Sequence, residues 1–157
     1  MQKLSKVLVI GLLVASCGGT DESTNEGTTD PGADVATETP DPCALAGDEV
    51  LLAYFGEPFA GEPGEAGPIQ TCSWRDASAN SLLIQVASDF PLNRLDPCEG
   101  CIDLTFGDDG FATESPLQST ATFVSGATWY SVTTTGFGDD AATIANLAET
   151  IFENATG

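Results

Sequence analysis

Residues 119–135, STATFVSGATWYSVTTT, decide which fold the chain can form. Thr, Val, Phe, Trp and Tyr dominate this stretch, and these residue types are enriched in β-strands. Ser125-Gly126 interrupts the run near its middle, and small residues of this kind favour a tight turn. The stretch therefore predicts a β-hairpin with one strand on each side of the serine and glycine.

Two more strand-like segments precede the hairpin, and a helix follows it. Residues 69–75 and 81–90 are rich in strand formers, and between them DASAN (76–80) is typical of a turn. Residues 139–155 begin with two aspartates, which suit the positive end of a helix dipole. Apolar side chains recur in this segment at helical spacing, at Ile144, Leu147, Ala148, Ile151 and Phe152.

Another helix is predicted at the start of the globular part. Asp41-Pro42 favours a helix start, and Gly47-Asp48 divides the segment into a short turn and a longer helix. We expect Asp48 to cap the longer helix, which ends at Gly56.

The remaining segments predict irregular structure. Residues 57–68 are rich in Gly and Pro and predict a connection without regular structure, whereas 92–104 show no clear pattern. Residues 107–115 contain paired aspartates between glycines and lead into the hairpin. With helices at both ends and strands between them, residues 42–157 are predicted to form a single α+β domain. We expect an antiparallel sheet with helices packed on one face and disulfides tying the domain together.

The first 16 residues have the parts of an export signal peptide. Lys3 and Lys6 precede a short apolar stretch with small residues behind it. The stretch is too short to cross a bilayer, which takes about 20 helical residues. Val14-Ala15-Ser16-Cys17 resembles a bacterial lipobox, with valine in place of the commoner leucine. The resemblance implies cleavage before Cys17 and addition of lipid chains (diacylglyceryl and palmitate) to it. The chain would then be a lipoprotein anchored in the cell membrane on its extracytoplasmic side.

Residues 17–41 are predicted to be a disordered acidic tether that follows the lipidated cysteine. After Cys17 they carry seven acids among Thr, Gly, Ser, Asn and Pro, with Val35 as the one aliphatic residue larger than alanine. Such a composition buries too little apolar surface to offset the entropy cost of ordering.

The charge balance excludes several classes of partner and catalyst. The chain has 24 acidic and four basic residues, and cleavage before Cys17 would take the formal charge from −20 to −22 and leave Arg75 and Arg94 as its cations. A surface of this kind repels phosphate backbones, so nucleic acid is not an expected partner. The chain has no histidine, and no lysine after Cys17, which removes the commonest groups for proton transfer and Schiff-base chemistry. We therefore expect no enzymatic activity, no catalytic residue and no cofactor.

Once Cys17 is acylated, four cysteines remain for disulfide bonds. An even number in an exported domain predicts two disulfides, for which three connectivities exist. We favour Cys43–Cys72 together with Cys98–Cys101. The CxxC spacing of the second pair also raises a redox hypothesis, but acidic neighbours disfavour the thiolate that catalysis needs.

Metal sites are not predicted either. A zinc site of four cysteines normally uses two CxxC pairs, and the chain has one. The aspartate pairs 108–109 and 139–140 offer oxygens to calcium, but neither stands in the order of a calcium-binding helix–loop–helix site. A solvated turn and a helix cap are the simpler interpretations. Several aromatic residues are candidates for a ligand groove, although strand aromatics are usually core residues: Trp74, Trp129, Tyr130, Phe106 and Phe111.

Several short motifs resemble a family of small lipoprotein domains found in mycobacteria and other actinomycetes, whose function is unknown. They are DPCAL (41–45), CSWR (72–75), FGDDGF (106–111), GATWYSV (126–132) and the helix 142–152. The resemblance implies lipid anchoring, an α+β fold and a helix-to-strand disulfide that matches Cys43 and Cys72. It implies no catalytic residues, and it does not account for Cys98 and Cys101.

These observations favour a membrane-anchored surface lipoprotein that works as a non-enzymatic binding module of the cell envelope. Its partner would be an envelope protein or a small ligand, besides the membrane that holds its lipid anchor. Two alternatives stay open. One is an envelope enzyme or thiol-redox factor that uses Cys98 and Cys101, and the other is a purely structural envelope component.

Overall fold

The structure, a computed structural model, describes residues 39–92 and 100–157. The predictions for the signal peptide (1–16), for Cys17, for nearly all of the tether 17–41 and for Cys98 fall outside the described residues. Three helices and seven strands occur within the described ranges: α1 (Pro42–Leu45), α2 (Gly47–Phe55), β1 (Glu62–Ala66), β2 (Ile69–Arg75), β3 (Ser81–Ser88), β4 (Ile102–Asp103), β5 (Asp109–Glu114), β6 (Gln118–Ser125), β7 (Thr128–Thr135) and α3 (Ala141–Thr156).

The strands form one antiparallel sheet in the order β1-β2-β3-β7-β6-β5-β4. β6 and β7 are the predicted hairpin, with Ser125 opposite Thr128 at its turn. β7 also pairs with β3, which joins the β1–β3 meander to the β4–β7 meander. The predicted fold class, α+β with an antiparallel sheet, is confirmed.

One face of the sheet, here called the core face, carries most of the buried side chains. Successive side chains of a strand point to opposite faces, and on β3 Leu82, Ile84 and Val86 are fully buried while Leu83 and Gln85 are not. All three helices contribute to the same buried cluster, for example through Leu45, Leu51 and Ile144. The helices therefore cover the core face, as predicted, and the opposite face is here called the open face.

The helix predictions hold except for one cap. Gly47 has φ +49° and separates α1 from α2, as the sequence predicted. Asp48 is not the cap, because α2 already begins at Gly47 and Asp48 lies in its first turn. Ala46 stands at the N-cap without a side-chain hydrogen bond, so the carboxylate of Asp48 contributes only through the helix dipole.

Helix α3 is anchored at its start by two carboxylates. Asp140 is the N-cap, and its Oδ1 accepts a hydrogen bond of 2.7 Å from the backbone N–H of Thr143. Glu114, at the end of β5, accepts a second bond of 2.8 Å from the N–H of Ala141. A helix start leaves N–H groups without partners, and these two acids satisfy those of Ala141 and Thr143.

Three strands, β1, β4 and β5, occupy segments that the sequence did not predict as strands. β4 has only two residues, both exposed, and lies within 92–104, where the sequence shows no clear pattern. β1 lies inside 57–68, and all five of its residues are exposed, so no apolar pattern marks it. Pro63 within it has no N–H to donate, which an edge strand tolerates. β5 contains Gly110, and a Cβ there would come within 2.7 Å of the Cβ of Phe123. This glycine serves close strand packing rather than a turn.

The disulfide between Cys43 and Cys72 joins α1 to β2, which confirms the first predicted pair. Cys72 is fully buried, so the bond lies in the core. Gly61 passes directly over it. A Cβ at Gly61 would overlap the Sγ of Cys72 and come within 2.6 Å of the Trp74 ring, so only glycine fits there without a shift of the core.

Candidate functional site

A groove of about 920 Å³ lies at one end of the open face, a size within the range of small-molecule sites. Its floor and walls come from β2, β3, β6, β7, the loop before β1 and the turn after β2. The lining residues are Phe59, Ala60, Glu62, Ser73, Trp74, Arg75, Asp76, Ala77, Ser81, Leu82, Leu83, Gln118, Thr133 and Thr135.

Sheet register places the polar side chains of the floor in two cross-strand rows. The outer row runs Arg75, Ser81, Thr135 and Gln118, and the inner row runs Glu62, Ser73, Leu83, Thr133 and Thr120. Thr120 and Thr133 share a hydrogen bond of 3.1 Å between their hydroxyls. The backbone groups beneath are used by the sheet, so a ligand would meet side chains: hydroxyls, an amide, one leucine, the Glu62 carboxylate and the Arg75 guanidinium.

Arg75 supplies the positive charge of the groove. It is the one Lys or Arg among the described residues, which carry 16 Asp and Glu. Its side chain is exposed, and within residues 39–92 and 100–157 its guanidinium has no ion-pair partner. Such an arginine is unexpected in a domain with so many acids.

The turn after β2 engages the carboxylate of Asp76, the acid next to Arg75 in sequence. The carboxylate of Asp76 accepts hydrogen bonds from the backbone N–H groups of Ser78 and Asn80, at 2.8 and 2.9 Å. Its other oxygen accepts a bond from the Asn80 side-chain amide at 2.9 Å. Asp76 is therefore held by its own turn, and the guanidinium beside it remains available to a ligand.

Aromatic side chains hold the groove wall in place. The carbonyl of Phe59 accepts a 3.2 Å hydrogen bond from the indole N–H of Trp74. The Phe59 ring packs edge-on against Phe55, with ring centres 5.1 Å apart, and Phe55 in turn contacts Phe137. The wall is thus attached to α2 and to the loop that leads into α3.

The far end of the open face is closed by an aromatic pair. Trp129 is only 9% exposed, and its ring centre lies 5.0 Å from that of Phe90. Ala87, which pairs with Trp129 across the strands, is fully buried as well. The groove is accordingly confined to the end of the face where Arg75 lies.

The aromatic residues named from the sequence are mainly structural. Trp74 and Tyr130 are buried on the core face, and Phe106 packs against that core. Of the five candidates, Trp74 alone belongs to the groove lining, and it is 2% exposed. Arg75 was visible in the sequence as one of two cations left after Cys17, but nothing in its neighbourhood marked it as a site.

The aspartate turns have structural roles. Asp108 accepts a 2.6 Å hydrogen bond from the N–H of Gly126 and so ties the loop before β5 to the β6–β7 turn. Asp140 caps α3. Among the residues that the structure describes, no three His, Cys, Asp or Glu side chains converge as metal ligands.

Asp139 and Tyr54 form a further titratable pair at the start of α3. Burial, together with the nearby carboxylate of Asp139, raises the pKa of Tyr54 well above its ordinary value. This phenol therefore stays protonated at neutral pH and does not act as a base. One carboxylate oxygen of Asp139 is buried and has no hydrogen-bond partner within the described ranges.

The other predicted cysteine sites are only partly described. Cys101 is disulfide-bonded and half-buried, so its thiol is not free. Its predicted partner Cys98 lies outside the described residues, as does Cys17, and both assignments remain predictions.

In the described part of the chain no helix is both long and apolar enough to cross a membrane. The chain matches no protein-family model, no curated protein and no solved structure.

Proposed function

We propose that the chain is a lipid-anchored, extracytoplasmic binding protein without catalytic activity, and that its ligand occupies the groove at Arg75. The observation that carries the binding role is the Arg75 guanidinium, which has no ion-pair partner among the described residues and lies over a floor rich in hydroxyl groups. The other face of the sheet is covered by helices.

The cysteines support the proposed location. Cys43 and Cys72 are paired, and Cys101 is disulfide-bonded too, as is usual for proteins that fold outside the cytoplasm. The lipobox-like Val14–Cys17 and the basic, apolar start of the chain point to the same compartment. The proposed kinship with the actinomycete lipoprotein domains is supported by the helix-to-strand position of the Cys43–Cys72 bond.

The groove chemistry supports binding rather than catalysis. Its hydroxyl groups include Ser73 and Ser81, but the lining residues contain no histidine or lysine that would activate a serine. Asp76 is occupied by three hydrogen bonds within its own turn. The groove therefore holds groups that recognise a ligand and lacks the usual groups that transform one.

The anchor is tested by metabolic labelling with radioactive palmitate in a bacterial host. We expect label in the wild-type chain and none in Cys17→Ala, because the thiol is the proposed attachment point. Equal labelling of both chains, or label in neither, would contradict the anchor.

The groove is tested with the full-length chain, purified from membranes in detergent and incubated with a small-molecule extract of bacterial envelopes. We expect native mass spectrometry to show a bound mass that is released on denaturation. Leu83→Trp fills the groove, so we expect no bound mass in this variant. The matched control Leu52→Trp places the same substitution on α2, where Leu52 is 57% exposed, and should retain it. A missing bound mass, or one that persists in Leu83→Trp, would contradict the binding role.

A further inference from the structure

We propose that the ligand class of this groove is a saccharide that carries a single carboxylate, bound through its carboxylate by Arg75. The proposal rests on the binding function proposed above and adds to it the chemistry of the ligand.

The charge and shape of the Arg75 guanidinium favour a ligand with a carboxylate. Guanidinium presents parallel N–H donors that match the two oxygens of a carboxylate. The acid that adjoins Arg75 in sequence, Asp76, already accepts three hydrogen bonds within its turn. A bound carboxylate would therefore supply Arg75 with the partner that the described residues do not give it.

The charges that line the groove also limit the ligand to one anionic group. Glu62 lies in the inner row and is a diagonal neighbour of Arg75 across β1 and β2, a separation of roughly 7–8 Å. It is exposed and faces the same groove, so a second negative charge on the ligand would be repelled. Polyphosphates and nucleic acids need several cations, and the described lining residues supply one, Arg75.

The floor suits the rest of a sugar. Hydroxyl side chains both donate and accept hydrogen bonds, as sugar hydroxyls do, and Ser73, Thr133 and Thr135 line the floor with Gln118 beside them. Leu83 stands among these residues and Phe59 forms the wall. These two side chains give the apolar C–H face of a pyranose ring a surface to lie against.

A peptide is less well matched to this groove. Extended peptides are usually recognised by adding a strand to a sheet edge, where backbone groups are free. The groove lies on a face of the sheet, over strands β2, β3, β7 and β6, which pair with one another. The adjoining edge strand β1 carries Pro63, which lacks an N–H to donate.

The proposal is tested by calorimetric titration of the detergent-purified full-length chain with two disaccharides. Cellobiouronate carries one carboxylate, and cellobiose has a hydroxymethyl group in its place. We expect cellobiouronate to bind at least ~10-fold more tightly, about 1.4 kcal/mol. Arg75→Gln should remove this difference, and Arg75→Lys should restore part of it because lysine keeps the charge but not the paired donors.

The control for charge is Asn146→Asp, on the exposed side of α3. It changes the net charge by the same amount as Arg75→Gln but lies in the helix layer, so cellobiouronate binding should persist. Melting temperatures of all variants check that they are folded.

Three results would overturn the proposal. The first is the absence of the predicted selectivity, seen as equal binding of the two disaccharides or as equal binding of cellobiouronate to wild type and Arg75→Gln. The second is tighter binding of N-acetyl-trialanine, which would indicate a peptide site. The third is no binding of cellobiouronate at all. Native mass spectrometry of wild type and Leu83→Trp, described above, distinguishes a failure of the sugar-acid proposal from a failure of the proposed binding function. A bound mass that is lost in Leu83→Trp, together with no binding of cellobiouronate, would leave the proposed binding function standing and would contradict a sugar acid as the ligand.

Discussion

The two faces of the sheet are built from neighbouring residues of the same strands but differ in burial and in the residue types that they carry. On β3, Ile84 points into the core face and is fully buried, whereas Leu83 points to the open face and lines the groove. Across the core face the side chains are apolar because they must leave water. Across the groove they include hydroxyls, an amide, two carboxylates and one guanidinium, polar groups that burial does not require. The composition of the open face is therefore where a function can be sought.

The sharpest test of this contrast is a pair of substitutions at adjacent positions. Ile84→Ala should reduce the free energy of unfolding by about 2–5 kcal/mol, because it leaves a cavity in the core. Leu83→Ala should cost about 1 kcal/mol or less, since its site is open to water. Chemical denaturation monitored by tryptophan fluorescence measures both. Equal losses would mean that the open face is part of a second core.

The disulfide of the core face gives the next effect. Replacing Cys43 and Cys72 together by alanine should cost about 3–4 kcal/mol, because the open chain gains conformational entropy in its unfolded state. The control is Ser73→Ala, one residue further along β2 on the open face, which should change stability little. A double variant as stable as the wild type would show that the helix layer is held without this bond.

Much of the core face could be predicted from the sequence, because its signals are local. The β6–β7 hairpin, the β2 and β3 strands and α3 each show their residue types within one segment. β1, β4 and β5 were not predicted: β1 buries nothing, β4 is a two-residue exposed strand, and β5 places Gly110 where a turn residue is expected. Of the groove lining, the sequence named only Trp74 as a candidate. Arg75, Leu83 and Thr133 come from three different strands, and only the register that brings β7 beside β3 places them together.

Two glycines at the edge strand β1 allow the core face and the open face to be compared at positions without a side chain. Gly61→Ala pushes a methyl group against Cys72 and Trp74 in the core, and we expect a loss of about 1–3 kcal/mol. At Gly64 the added Cβ would meet a single close atom, the Thr71 hydroxyl on the open face, at 2.9 Å, and no core side chain. Gly64→Ala should therefore be the milder change in a thermal melt. The reverse order would contradict the assignment of tight packing to the core face alone.

The smallest effect concerns the cap that holds α3 over the core face. Hydrogen bonds from the side chain and backbone N–H of Thr143 lower the pKa of Asp140 below its ordinary value of 3.8. A carboxyl group whose pKa is lower in the folded state stabilises the fold above its unfolded pKa, and this contribution disappears as the pH falls through the folded pKa. Asp140→Asn keeps a capping oxygen but does not titrate. The wild type should therefore have the higher melting temperature at pH 6, and the difference should shrink towards pH 2–3. A difference that stays constant over this range would show that the charge of Asp140 does not contribute, and that capping geometry alone fixes the helix layer over the core face.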